Sequence, residues 1–131
     1  MSTAVLDQPL SRTGRPCASA REATRAFLAR ATRVRAPAQS ASTDNVLLVV
    51  AELVANAIRH TNGPCALRLE LLGDSIDVCV ADHSPRPPEP RTPRTDGTGG
   101  WGWFLLDRLA SHVRVRPGPD GGKIVCARLP W

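Results

Sequence analysis

Apolar residues change their spacing several times along this 131-residue chain, and each change marks an expected element. Over about 18–34, alanine, arginine, glutamate and leucine are arranged with Ala23, Ala26, Phe27 and Ala31 on one side, which predicts a moderately amphipathic helix. Pro37 and the Gln-Ser-Ala-Ser stretch end it. Ser42 or Thr43 then offers an N-cap, and Asp44 suits the first turn of a second helix. That helix is nearly apolar through Val46, Leu47, Leu48, Val49, Val50 and Leu53, so it is expected to be the buried central one. Asn62-Gly63-Pro64 stops it at about Thr61.

Two strand-like runs follow, about 66–72 and 75–81, around Gly73-Asp74, a hairpin signal. Residues 83–99 contain five prolines and predict no regular structure. A third helix is expected over about 102–111, with Phe104, Leu105, Leu106 and Leu109 inward, then strands over 112–116 and 123–129 around the turn PGPDGG. Residues 1–15 read as a flexible terminus with at most a short edge strand, leaving one domain over 16–131. The order helix, helix, strand, strand, helix, strand, strand argues for an α+β fold, a two-layer α/β sandwich with a mostly antiparallel sheet.

Composition narrows the class. The chain is long enough to bury most of its unfolded surface as one unit. Its longest apolar run, 46–51, is too short to cross a bilayer, and no signal-peptide pattern opens the chain, so a cytoplasmic protein with no membrane role is expected. Cys17, Cys65, Cys79 and Cys126 are scattered, without the paired spacing of zinc or redox motifs. Cys79 and Cys126 lie in strand-like segments and read as buried thiols, in preference to metal ligands or disulfide partners. A net charge of +5 and a pI near 9.8 invite a nucleic-acid reading. The basic residues, however, gather in 12–35 and in the proline-rich stretch, with no Tyr anywhere to stack on bases. Direct nucleic-acid binding is therefore disfavoured, and a solvated basic face or an acidic protein partner is expected.

Three features carry candidate chemistry. In ELVANAIRHT, Glu52, Asn56 and His60 recur at helical spacing on one face of an otherwise apolar helix, a pattern that fits the lining of a cleft. Asp82 ends the strand-like IDVCVAD; a carboxylate there is either a turn former or an acceptor for an exocyclic amine. In DGTGGWGWFLL, Gly97, Gly99, Gly100 and Gly102 precede an apolar helix whose free N–H groups suit phosphate oxygens. This is neither a Walker A loop nor a Rossmann fingerprint.

The order of these features resembles the ATP-binding (Bergerat-type) fold of the GHKL superfamily, shared by histidine kinases, gyrase-type ATPases and Hsp90. ELVANAIRH, VCVADHSPRPP, GGWGWFLLDRLA and GGKIVCARL are most similar to the N box, strand-Asp-loop, G-x-G helix and final strand of its small branch, the anti-sigma factor serine/threonine kinases. The resemblance covers about 18–130. It implies ATP and Mg²⁺ as cofactors, with Asn56 as metal ligand and Glu52 as the base acting on a protein hydroxyl. It further implies Asp82 and Ser84 at the adenine, Gly100 and Gly102 at the phosphates, and a lid over about 86–99. Arg59 or a lid arginine would offset phosphate charge, and His60 receives no chemistry. The implied partners are a sigma factor and a STAS-domain anti-anti-sigma factor, and homodimerisation is compatible with it. The alternative is a catalytically inactive GHKL-fold module that acts by protein interaction. Departures from the pattern are Trp101 and Trp103 beside the Gly-x-Gly, and Ile124 where a threonine near the Asp is frequent; the last is expected to thin the polar network around the base.

Overall fold

The structure is a computed structural model that describes residues 2–11, 13–60, 63–84 and 102–131, with the side chains of residues 2, 3, 60, 102–104 and 119 left aside. Five strands form one antiparallel sheet in the order β1-β2-β3-β5-β4, built from Ser2–Leu10, Cys65–Leu72, Ser75–Asp82, His112–Pro117 (β4) and Lys123–Pro130 (β5). The described residues also form helices α1 (Pro16–Val34), α2 (Ser42–His60) and α3 (Gly102–Leu109), with a short 3-10 turn at Pro119–Gly121. This is the two-layer α+β sandwich that the hydrophobic pattern predicts.

The central helix, α2, buries Val46, Val49, Val50, Leu53, Val54 and Ala57, a stripe at the three-and-four spacing of one helix face. It packs on α1, α3 and strands β2, β3 and β5. The Asn45 N–H donates to the Ala41 carbonyl at 2.9 Å, so the helix is already under way at Ser42, one step ahead of the expected cap. In α1, Pro16 suits the first turn, where an N–H has no intrahelical acceptor. Its buried stripe is Ala20, Thr24, Phe27, Leu28 and Ala31. Ala26 is exposed, so the stripe is rotated from the expected one. Thr24 can be buried because its hydroxyl donates to the Ala20 carbonyl at 2.7 Å.

The amino-terminal segment differs most from expectation. Ser2–Leu10 is a nine-residue edge strand, with Ala4, Leu6 and Leu10 turned inward. Pro9 is tolerable there because an edge strand leaves one side unpaired. Asp7 lies directly across from Arg68, which donates to both of its carboxylate oxygens at 2.9 and 2.8 Å. At the other end of the chain, Trp131 is buried and fastens two distant segments. Its indole N–H donates to the Arg35 carbonyl and its backbone N–H to the Asp74 carbonyl, both at 2.8 Å.

The face of the sheet away from the helices carries polar rows. Glu70, Asp77, Arg128 and His112 stand in line across β2, β3, β5 and β4, and beside them run Arg68, Cys79, Cys126 and Arg114. Cys79 and Cys126 are directly opposed and joined by a disulfide, which corrects the reading of both as free thiols. Strand register could not be read from scattered cysteines, and register is what opposes this pair.

Asp77 is held by Arg128 at 2.8 Å and Arg114 at 3.1 Å. Burial alone would raise its carboxyl; the hydrogen bonds and charges of the two arginines outweigh that and hold it below the usual carboxylate range. Its contribution to stability is therefore complete above the unfolded value of about 3.9, and is lost as pH falls through the lower folded value. Asp77→Asn should be less stable than wild type at neutral pH, and denaturant titrations should show that gap closing below about pH 4.

Candidate functional site

Strand alternation places Asp82, the last residue of β3, on the helix side of the sheet with Ile76, Val78 and Val80. It is 3% exposed. A buried carboxylate needs partners, and among the described residues Asp82 has Ser84 and Lys123. The Ser84 N–H donates to its Oδ1 at 2.8 Å, and Lys123 of β5 places its Nζ 3.1 Å from Oδ1 and 2.9 Å from Oδ2. Lys123 also reaches the Ser84 carbonyl, at 3.5 Å, and is itself 4% exposed.

Gly122 makes this approach feasible. A Cβ at that position would overlap the Asp82 carbonyl oxygen and crowd the His83 Cα at 2.8 Å. The turn that delivers β5 to this point carries left-handed backbone at Asp120 (φ 56°) and Gly121 (φ 76°). Asp82 and Lys123 are then register partners. Cys65, at the start of β2, is buried beside them; burial pushes its thiol up and the Asp82 charge acts in the same direction, which keeps it protonated and unreactive.

Ile124, by contrast, points to the other face of the sheet. It is the register partner of Ala81, and both line a concavity of about 440 Å³ bounded also by Arg68, Asp77 and Arg114. Its effect on the polar network around Asp82 is therefore not the one expected from sequence. The residue that sets that network is Lys123, which sequence reasoning passed over. Two signals could have found it: a lysine opening a strand whose next four residues are apolar, and the glycine pair before it.

On α2, Asn56 is buried at 4% exposure, and Arg59 donates to its Oδ1 at 3.3 Å. Glu52, one turn earlier, is half-buried and lines a smaller hollow of about 190 Å³ with Leu48 and Leu105, Leu106 and Leu109 of α3. The helix that follows the glycine-rich segment thus packs over the Glu52 side of α2. Among the described residues, no hydrogen bond joins Glu52, Asn56 and Asp82 to one another. Packing of α2 on β3 and α3 sets their relative positions. Gly102 is the first residue of α3. Gly100, Trp101 and the expected lid at 86–99 lie outside the described residues, as do the side chains of His60 and Trp103.

The donor set can be tested against a Mg²⁺·nucleotide. Asn56 offers one buried oxygen, a hard donor, whose present partner is a guanidinium. Among the described residues, no three His, Cys, Asp or Glu side chains converge on a metal position. A single hard oxygen such as that of Asn56 suits an ion that brings most of its ligands as phosphate and water oxygens. No described helix is long and apolar enough to cross a membrane.

Comparison with known proteins agrees with this architecture. Among curated proteins, none matches the chain. The profile of the histidine kinase-like ATPase domain matches residues 16–129, from the start of α1 to the end of β5. With nearly the whole chain matched, the protein belongs to the histidine kinase-like ATPase domain family, whose members are built to bind ATP.

Proposed function

We propose that this chain is a cytoplasmic ATP-binding anti-sigma factor and protein serine/threonine kinase, which phosphorylates a STAS-type anti-anti-sigma factor and so regulates transcription. The observation that carries the reading is the α2 face: Asn56 buried with a hard oxygen donor held by Arg59, and Glu52 one turn away in a hollow lined by α3. Mg·ATP, when bound, supplies the phosphoryl group and its charge neutralisation. Asn56 would hold the ion through Oδ1, and Arg59 would turn from Asn56 toward phosphate oxygens. Glu52 would take the proton of the serine or threonine hydroxyl as that oxygen attacks. Asp82, with Ser84 ordering it, would accept the exocyclic amine of the base. Gly102 would present the α3 N-terminus to phosphate.

The experiment is incubation with γ-labelled ATP and a panel of STAS proteins, with label on a partner's serine or threonine as the expected result. A panel that takes up no label, with a partner nevertheless bound, would replace this reading by the second one. In that reading the chain is a catalytically inactive binding module of the same fold. The observation favouring it is that Lys123 already satisfies Asp82.

A further inference from the structure

We propose that Lys123 is a built-in competitor for the nucleotide base, so that ATP binds only as this lysine leaves Asp82. The inference rests on reading Asp82 as the base-binding carboxylate. An exocyclic amine must donate to a carboxylate lone pair. The Lys123 ammonium donates to Asp82 Oδ1 at 3.1 Å and lies 2.9 Å from Oδ2 as its ion-pair partner, and Oδ1 accepts from the Ser84 N–H as well. A carboxylate has about four lone-pair sites, so charge alone leaves room for a further donor. What excludes the amine is space, because Asp82 is 3% exposed and the buried ammonium fills the approach to its oxygens.

Without a ligand the arrangement is self-sufficient. A carboxylate 3% exposed and an ammonium 4% exposed each find their charge partner, and the third donor direction of the ammonium is taken by the Ser84 carbonyl at 3.5 Å. The backbone enforces this, because Gly122 brings β5 against the end of β3 and register sets Lys123 opposite Asp82. Lys123 has a four-carbon stem on the first residue of β5, so it can withdraw without disturbing the ladder beyond. Nucleotide affinity is then the intrinsic affinity reduced by the fraction of molecules with Lys123 withdrawn. A protein partner that draws this lysine away would raise ATP affinity by the same factor.

Mg·ATP, Mg·GTP and base-free Mg·tripolyphosphate should be titrated into wild type, Lys123→Met and Lys123→Thr, by calorimetry and by ligand-induced melting shift. Both variants should melt below wild type without ligand, since a buried carboxylate has lost its cation. They should bind ATP about tenfold more tightly or better, with tripolyphosphate affinity unchanged. Unchanged or weaker ATP binding in the folded variants would overturn the proposal. So would a wild-type preference for GTP that the variants lose, because Lys123 would then be reading a base carbonyl beside Asp82. Asp82→Asn in the Lys123→Met background separates the two layers of argument: if it binds ATP as well as Lys123→Met does, the base-site assignment itself fails.

Discussion

Glu52→Ala is expected to lower phosphotransfer to the protein substrate by about 10²–10⁴-fold, the range for loss of a positioned general base. Mg·ATP affinity should stay near wild type, because Glu52 lines the hollow between α2 and α3, whose lining does not include Asp82. The contrasting variant is Asn56→Ala, which should lose Mg²⁺-dependent binding and transfer together, since the metal ligand acts before and during the chemistry. Single-turnover transfer with saturating nucleotide, set beside equilibrium titrations, distinguishes the two patterns. If Glu52→Ala transfers at the wild-type rate, the base lies elsewhere.

Asp82→Ala is expected to destabilise the fold by up to about 3–5 kcal/mol, the limit reached if the Lys123 ammonium stays unpaired in a site almost closed to water, and by less to the extent that the side chain withdraws. The loss belongs to the uncompensated charge and not to the worth of the pair. Asp82→Ala combined with Lys123→Met should therefore recover most of it, the two residues being in contact and strongly coupled. Urea denaturation of the two single variants and the double variant measures this coupling directly. An Asp82→Ala loss that persists in full in the double variant would mean that the carboxylate stabilises the β3 end through the Ser84 N–H alone.

The hydrophobic spacing carried most of the fold. The stripe from Val46 to Ala57 and the Gly73-Asp74 hairpin specify α2, β2 and β3 within a residue or two of their observed limits, because local period and turn chemistry agree there. The amino-terminal strand was less legible. An edge strand is half-paired, its sequence tolerates Asp7 and Pro9, and what fixes it is a partner about sixty residues away. The Cys79–Cys126 disulfide and the anchoring of Trp131 were hidden for the same reason: each depends on a non-local register or packing contact.

The candidate site divides along the same line. Glu52 and Asn56 could be picked out because four-residue spacing on one helix is local information. The pairing of Asp82 with Lys123 spans the β3–β5 register, so sequence pointed to the neighbouring Ile124, which the pleat turns to the opposite face. A one-residue step along a strand replaced an expected thinning of the polar network around the candidate base site with a buried ion pair.

The most direct test of a Mg·ATP cleft on α2 and β3 is a calorimetric titration of Mg·ATP into wild type and Lys123→Met, repeated with EDTA. The account predicts saturable binding of one nucleotide per chain, dependent on Mg²⁺, tighter in Lys123→Met, and weakened in that background by Asp82→Asn and Asn56→Ala. Absence of binding by both wild type and Lys123→Met, with both proteins folded, would contradict it.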